Sequence, residues 1–173
     1  MKPIQRANWG WATDGKMGKR ERRILTSIYL DPIEEEKLNL RLLNRWRTIQ
    51  ANEVRYKEYF LDDAEIVIVG FGTAGRVALS AVRTAREQGI KVGLLRPITV
   101  SPFPSEMIDQ LAGRAEAFLV TEMNSGQMLE DVRLAVGDTL PVHFYGKAGG
   151  WVPSVGEVAA RIQSVKCQVS SVK

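Results

Sequence analysis

Apolar positions follow two different periods along this chain. Leu38, Leu42, Trp46 and Ile49 recur at spacings of four, four and three, one stripe of an amphipathic helix. The start of that helix is written in Asp31-Pro32-Ile33-Glu34. Asp31 suits the N-cap, Pro32 the first helical position, and Glu34 falls three residues after the cap. Glu34, Glu35 and Glu36 favour the positive end of the helix dipole. The pattern carries the helix to about Tyr59, roughly 40 Å at the α-helical rise. Two readings of it stand side by side: a connector or clamp along a neighbour, and a helix packed back on residues 61–173. Upstream, Ile24 to Leu30 is a short β-prone run.

Beyond residue 61 short, nearly all-apolar runs alternate with helical stretches. Glu65 to Gly70 reads as a strand covered on both faces, and Lys91 to Arg96, Ala117 to Thr121 and Val142 to Tyr145 as further strands. Residues 74–88 read as a helix with Val77, Ala81, Val82 and Ala85 on one side, ended near Gly89. Ser105 to Leu111 and Gln127 to Val136 are further helices, the latter with Met128, Val132 and Ala135 on one face. A last helix runs from its cap Ser154 to about Ile162, and the chain after Lys166 is expected to fray. Alternation of this kind predicts βαβ units and a mainly parallel sheet. Ligands and partners of such sheets sit at the carboxyl ends of the strands. That edge holds Gly70 to Gly75, Arg96 to Pro104, Glu122 to Gln127 and Gly146 to Gly150.

Composition narrows the possible chemistry. The chain has 173 residues, 45% of them hydrophobic and 25% charged, the mix of an ordinary globular protein. One cysteine (Cys167) and one histidine (His143) cannot make a disulfide, a structural zinc site or a ligated iron–sulfur cluster. The start shows no signal-peptide core and no run approaches a membrane span, so the cytoplasm is the expected location, with no membrane partner.

The net charge of +4 is uneven: residues 1–60 carry +5 and residues 61–173 carry −1. Its densest part is Lys16, Lys19, Arg20, Arg22 and Arg23. This could be a patch for an anion or nucleic acid. A solvated or partner-facing loop is the favoured reading, because no nucleic-acid recognition pattern follows. Trp9, Trp11 and Trp46 share this third of the chain, and aromatic residues are favoured at interfaces.

Gly70-Phe-Gly72-Thr-Ala-Gly75 matches the G-x-G-x-x-G dinucleotide fingerprint and sits between a strand and a helix. The acidic ribose-binding residue expected about 20 positions on is missing, its place being taken by Leu95-Arg96-Pro97. Arg96 would suit a 2′-phosphate, but Pro97 disturbs the usual loop. A tight strand-to-helix turn explains the glycines equally. His143 lies in an apolar strand without an elbow serine, which favours a structural role. Glu122 and Glu130 are the carboxylates nearest the working edge, yet no paired acid completes a catalytic set.

Leu95-Arg-Pro-Ile-Thr-Val-Ser-Pro-Phe-Pro104 and the run from Phe118 to Val136, with Glu-Met-Asn-Ser-Gly-Gln-Met at its centre, resemble the alpha subunit of 2-oxoacid:ferredoxin oxidoreductases. His143 to Gly150 and Pro153 extend the likeness, as do Gly72, Thr73 and Arg76. It covers about residues 62–162, and the segment near Asn8-Trp9 and Lys16 to Leu30 more loosely resembles branched-chain (2-oxoisovalerate-type) members.

The resemblance implies a transketolase C-terminal-like domain, a three-layer α/β/α sandwich with a mainly parallel sheet. It also implies a multi-subunit enzyme that converts a 2-oxoacid and coenzyme A into acyl-CoA and carbon dioxide, reducing ferredoxin. Thiamine diphosphate, Mg and [4Fe-4S] clusters would lie on other domains or subunits, so this chain is expected to be inactive alone. Its partners would be a thiamine-binding beta, a gamma and a ferredoxin-like delta subunit.

These readings divide the chain into a basic linker and long helix (1–60), an α/β domain (61–165) and a tail (166–173). No catalytic or metal-ligating residue is assigned. Gly72, Thr73, Arg96, Asn124, Gly126 and Gln127 are sheet-edge candidates for cofactor contact, but Asn124 and Gly126 can form the turn leaving the third strand, and the favoured reading gives Glu122, Asn124 and Gln127 to that turn and to assembly. Trp46, Pro97, Phe103, Pro104, Glu122, Met123 and Met128 are interface candidates. Competing readings are a dinucleotide-binding module using Gly70 to Gly75, and an anion- or nucleic-acid-binding adaptor using the basic cluster.

Overall fold

The computed structural model describes Gly18, Arg20, Glu21, Ile24 and residues 26–171. Trp9, Trp11, Asn8 and, apart from Arg20, the basic cluster lie outside the described residues. The chain separates into two compact units, Met1–Leu43 and Asn44–Lys173. The division falls within the first helix, α1 (Pro32–Glu53).

Helix α1 begins as its sequence dictates: the Ile33 N–H donates to Asp31 Oδ1 at 2.8 Å. Glu34 pairs with Lys37 at 2.7 Å. The helix stops at Glu53, short of the expected Tyr59. Tyr56–Tyr59 is instead strand β1, antiparallel to β3 (Val92–Pro97), with Tyr56 opposite Pro97. Backbone N–H groups of Ile98 and Thr99 donate to the Arg55 carbonyl and Thr99 Oγ1 accepts from the Arg55 N–H, which fixes the strand's start. Lys57 and Glu58 are charged, as suits an edge strand, and this hides β1 from a search for apolar runs. By contrast, Ile24 and Thr26–Leu30 form no strand. β-Propensity without a neighbouring edge does not make a sheet.

The other elements are β2 (Ile66–Val69), α2 (Gly72–Glu87), α3 (Ser105–Ala112), β4 (Ala117–Glu122), α4 (Gln127–Val136), β5 (Val142–Gly146) and α5 (Val155–Ser170). The sheet order is β1-β3-β2-β4-β5, with β2, β3, β4 and β5 parallel. Helices α2 and α5 pack together, as do α3 and α4. One face of the sheet gives Ile66, Ile68, Leu94 and Leu119 to a core with α2 and α5. The alternate residues Val67, Val69, Phe118 and Val120 join α3 and α4. Three α/β/α layers result, with β2, β3 and β4 buried on both faces and no buried residue on the edge strands β1 and β5.

Helix α2 ends in a turn with Gly89 at φ +81°, where the Gly89 N–H reaches the Arg86 carbonyl and the Ile90 N–H reaches the Ala85 carbonyl. These are the paired hydrogen bonds of a glycine C-terminal cap. Helix α5 runs well past the expected Ile162. Val165 is fully buried and Lys166 pairs with Glu65 at 2.7 Å. The helix continues to Ser170, into the stretch after Lys166 that the sequence leads one to expect frayed.

Candidate functional site

The sheet order reverses between β2 and β4, so the loops after these two strands flank the switch point. The β2 loop is Gly70-Phe71 and leads into α2. Phe71 is the N-cap and makes no side-chain cap bond. Gly70 and Gly75 are set by packing. A Cβ on Gly75 would lie 2.5 Å from the Gly70 carbonyl oxygen, and one on Gly70 would lie 2.9 Å from Thr121 Cγ2. Gly72 has φ +56° and open space around it. Thus close approach of strand and helix accounts for two of the three fingerprint glycines. Thr73 and Arg76 are exposed on the first turn of α2. Arg96 is half-buried, its Cγ 3.4 Å from the position of a Cβ on Gly75.

The loop after β4 is built around Glu122, which is fully buried. Its Oε2 accepts from the Met128 N–H at 2.9 Å and from Asn124 Nδ2 at 3.0 Å. Its Oε1 accepts from the Leu129 N–H at 3.0 Å. Asn124 Oδ1 in turn accepts from the N–H groups of Gly126 (2.7 Å) and Gln127 (3.2 Å). Helix α4 starts at Gln127, so its four leading N–H groups are those of Gly126, Gln127, Met128 and Leu129. All four end on two side chains of the same loop. Gly126 makes the arrangement possible through φ +107°, a left-handed conformation.

That closed circuit decides what this edge offers chemically. A helix start attracts anions through unsatisfied N–H groups and dipole charge. At α4 both are met internally, by the Glu122 carboxylate and the Asn124 amide oxygen. Asn124, Gly126 and Gln127 therefore come together as a structural turn. Among the interface candidates, Pro97, Pro104, Glu122 and Met128 are buried inside the chain and present no surface. Phe103 and Met123 are half-buried and Trp46 is exposed.

The loop after β5 was read only as a stretch of the working edge. Lys147 pairs with Glu157 and lies over the Trp151 ring, 5.1 Å from its centroid. Glu157 closes a capping box with Ser154, each bonding to the other's backbone N–H. The Lys147 ammonium, followed by the Ser154 bonds, lowers the Glu157 carboxyl from 4.5 to about 2. The Ser-x-x-Glu spacing signals the box in sequence; the lysine partner carries no local signal. His143 stands on β5, and burial first, then the Arg161 charge, push its pKa below the ordinary 6.5. Its Nε2 is buried and makes no hydrogen bond among the described residues.

Among the described residues the donor set does not fit an iron–sulfur cluster or a bound metal ion. Cys167 is an exposed single thiol. No group of three or more His, Cys, Asp or Glu among the described residues could hold a metal ion. The α4 start has no free N–H group for a diphosphate. No helix among the described residues is long and apolar enough to cross a membrane.

A family model described as pyruvate:ferredoxin oxidoreductase core domain II matches residues 64–158. The ketoisovalerate oxidoreductase subunit VorB of Methanothermobacter thermautotrophicus is 46% identical over 162 residues, covering 92% of this chain and 45% of that one. The chain thus spans less than half the length of this relative. In structure it is similar to a 2-oxoglutarate:ferredoxin oxidoreductase from Magnetococcus marinus, with TM-score 0.70, 18% identity, and coverage of 79% of this chain and 24% of that one. It is also similar to a split-gene transketolase, with TM-score 0.55, 19% identity, and coverage of 64% and 40%. The fold is therefore transketolase-like, and the family match over more than half the chain is decisive: this protein belongs to the pyruvate:ferredoxin oxidoreductase core domain II family.

Proposed function

We propose that the chain is the assembly domain of a multi-subunit 2-oxoacid:ferredoxin oxidoreductase of the branched-chain type. The observation that carries this reading is the likeness to VorB, which extends beyond the family model to nearly the whole chain. The parent enzyme takes 2-oxoisovalerate or a related 2-oxoacid with coenzyme A, releases carbon dioxide and acyl-CoA, and passes electrons to ferredoxin. Thiamine diphosphate, Mg and the [4Fe-4S] clusters are held by companion polypeptides, in keeping with the single cysteine here. The complex works in the cytoplasm.

Within it, this chain supplies a rigid three-layer body. Its most distinctive run, Glu122 to Gln127, does internal structural work: the geometry locks α4 to β4. Exposed residues on α1 and the half-buried Phe103 and Met123 supply contact surface.

The test is activity with and without companions. A complex isolated through a tag on this chain should reduce a viologen dye in a 2-oxoisovalerate- and coenzyme A-dependent way. The pure chain should neither bind thiamine diphosphate nor decarboxylate any 2-oxoacid. Turnover by the pure chain would overturn the proposal, as would a tagged chain that brings down no companion polypeptide.

A further inference from the structure

Helix α1 has 22 residues and buries none of them. Its stripe is nonetheless apolar: Leu42 is 45% and Trp46 40% exposed, with Leu38 and Ile49 half-buried. An isolated helix of this length gains its stability mainly by burying such a face. Beside the stripe runs a second row. Lys37, Arg41 and Arg45 each precede a stripe residue by one position and repeat every four. Lys37 is engaged by Glu34. Arg41 and Arg45 form no ion pair among the described residues. An apolar ridge lined on one flank by unpaired guanidinium groups fits one kind of counter-surface: an apolar groove with carboxylates along that side.

We infer that α1 docks by Leu38, Leu42, Trp46 and Ile49 into an acid-rimmed groove on a companion polypeptide, with Arg41 and Arg45 reading the rim. The inference rests on the assembly reading above and names the chemistry of its partner. Charge complementarity of this sort sets orientation and partner choice more than raw affinity. Trp46, the one aromatic residue of the stripe, supplies apolar area.

The experiment uses the complex isolated through a tag on the full chain, carrying Leu42→p-benzoylphenylalanine. After irradiation the cross-linked peptides are sequenced by mass spectrometry. A matched sample adds Arg41→Glu and Arg45→Glu. The expected result is a cross-link to a companion peptide that has Asp or Glu beside the cross-linked position, with yield reduced ~10-fold by the double reversal. Cross-links confined to this chain, a companion peptide without carboxylates, or a yield indifferent to the reversal would each overturn it. A second arm sediments the pure chain with vesicles of phosphatidylcholine and phosphatidylglycerol. Retention that the reversal abolishes would replace the protein groove by an anionic membrane and sink the inference. Companions that co-purify without the cross-link sink this surface alone; their absence sinks the assembly reading with it.

Discussion

Glu122 accepts three hydrogen bonds without any exposure to water, and so offers a sharp test at the scale of one residue. Glu122→Gln keeps the size but loses the charge and turns one acceptor into a donor that faces N–H groups. The expected loss is about 2–4 kcal/mol of stability, read from urea midpoints at constant m. Asn124→Ala frees the Gly126 and Gln127 N–H groups nearer the surface and should cost about 1 kcal/mol. The glycines of the β2 loop make a second contrast. Gly75→Ala forces a Cβ against the Gly70 carbonyl and should cost about 1–3 kcal/mol. Gly72→Ala meets open space and pays only for its left-handed backbone, about 1 kcal/mol. If the fingerprint served a ligand rather than packing, Gly72 would be the sensitive position in a binding assay while Gly75 tracked stability.

Glu157 gives the pH-dependent test. Its folded-state pKa, about 2, lies below the ordinary 4.5, so its contribution to stability is present above 4.5. It is lost as pH falls through about 2. Asp63, lowered chiefly by its bond to Arg86, and Glu65, lowered chiefly by Lys166, act in the same direction. Glu157→Gln should therefore unfold earlier than the parent in urea near neutral pH. The gap between the two midpoints should narrow between pH 4.5 and 2. A gap that stays constant to pH 2 would show that the Lys147 pair contributes nothing.

At the scale of elements, the sequence exposed what depended on local pattern and hid what depended on distant partners. The apolar runs located β2, β3 and β4, because strands covered on both faces need apolar residues throughout, and the shorter run of the half-buried edge strand β5 located that one too. The caps of α1 and α5 were legible because each is built from residues within three positions. Strand β1 was not, since its pairing with β3 spans nearly 40 residues and its own sequence, Tyr-Lys-Glu-Tyr, is half charged. The end of α5 escaped for the same reason: Lys166 is held by Glu65, 101 residues away. At the working edge the sequence favours Glu122 and Asn124 as residues that tie down the turn, but it hides their capping partners, because the donors lie up to seven residues on and across that turn. A truncation after Gln163 measures the missed part of α5. It removes buried Val165 and the Lys166–Glu65 pair, and should destabilise the chain by about 2 kcal/mol.

At the scale of the whole molecule, chemistry and architecture part company. A family defined by redox enzymes here contributes a body with one thiol and no metal-ligating group among the described residues. Reconstitution with ferrous iron and sulfide under reducing conditions should accordingly leave the pure chain colourless. A retained cluster absorption would show donors beyond those described. The chain spans 45% of the length of the VorB relative.

The buried Glu122 carboxylate has a consequence for how this module comes apart. A bare carboxylate in the interior is far more expensive than one bonded to three donors. A partly opened state that kept β4 in the sheet but released α4 would expose the amides and strand the charge. Such a state is scarcely populated, so β4 and α4 should open together as one cooperative unit. In hydrogen exchange the Met128 and Leu129 amides should then match the slow rates of the β4 core rather than those of a fraying helix end. Glu122→Gln should uncouple the two. A residue that invites a catalytic reading thereby governs the grain of the molecule's breathing.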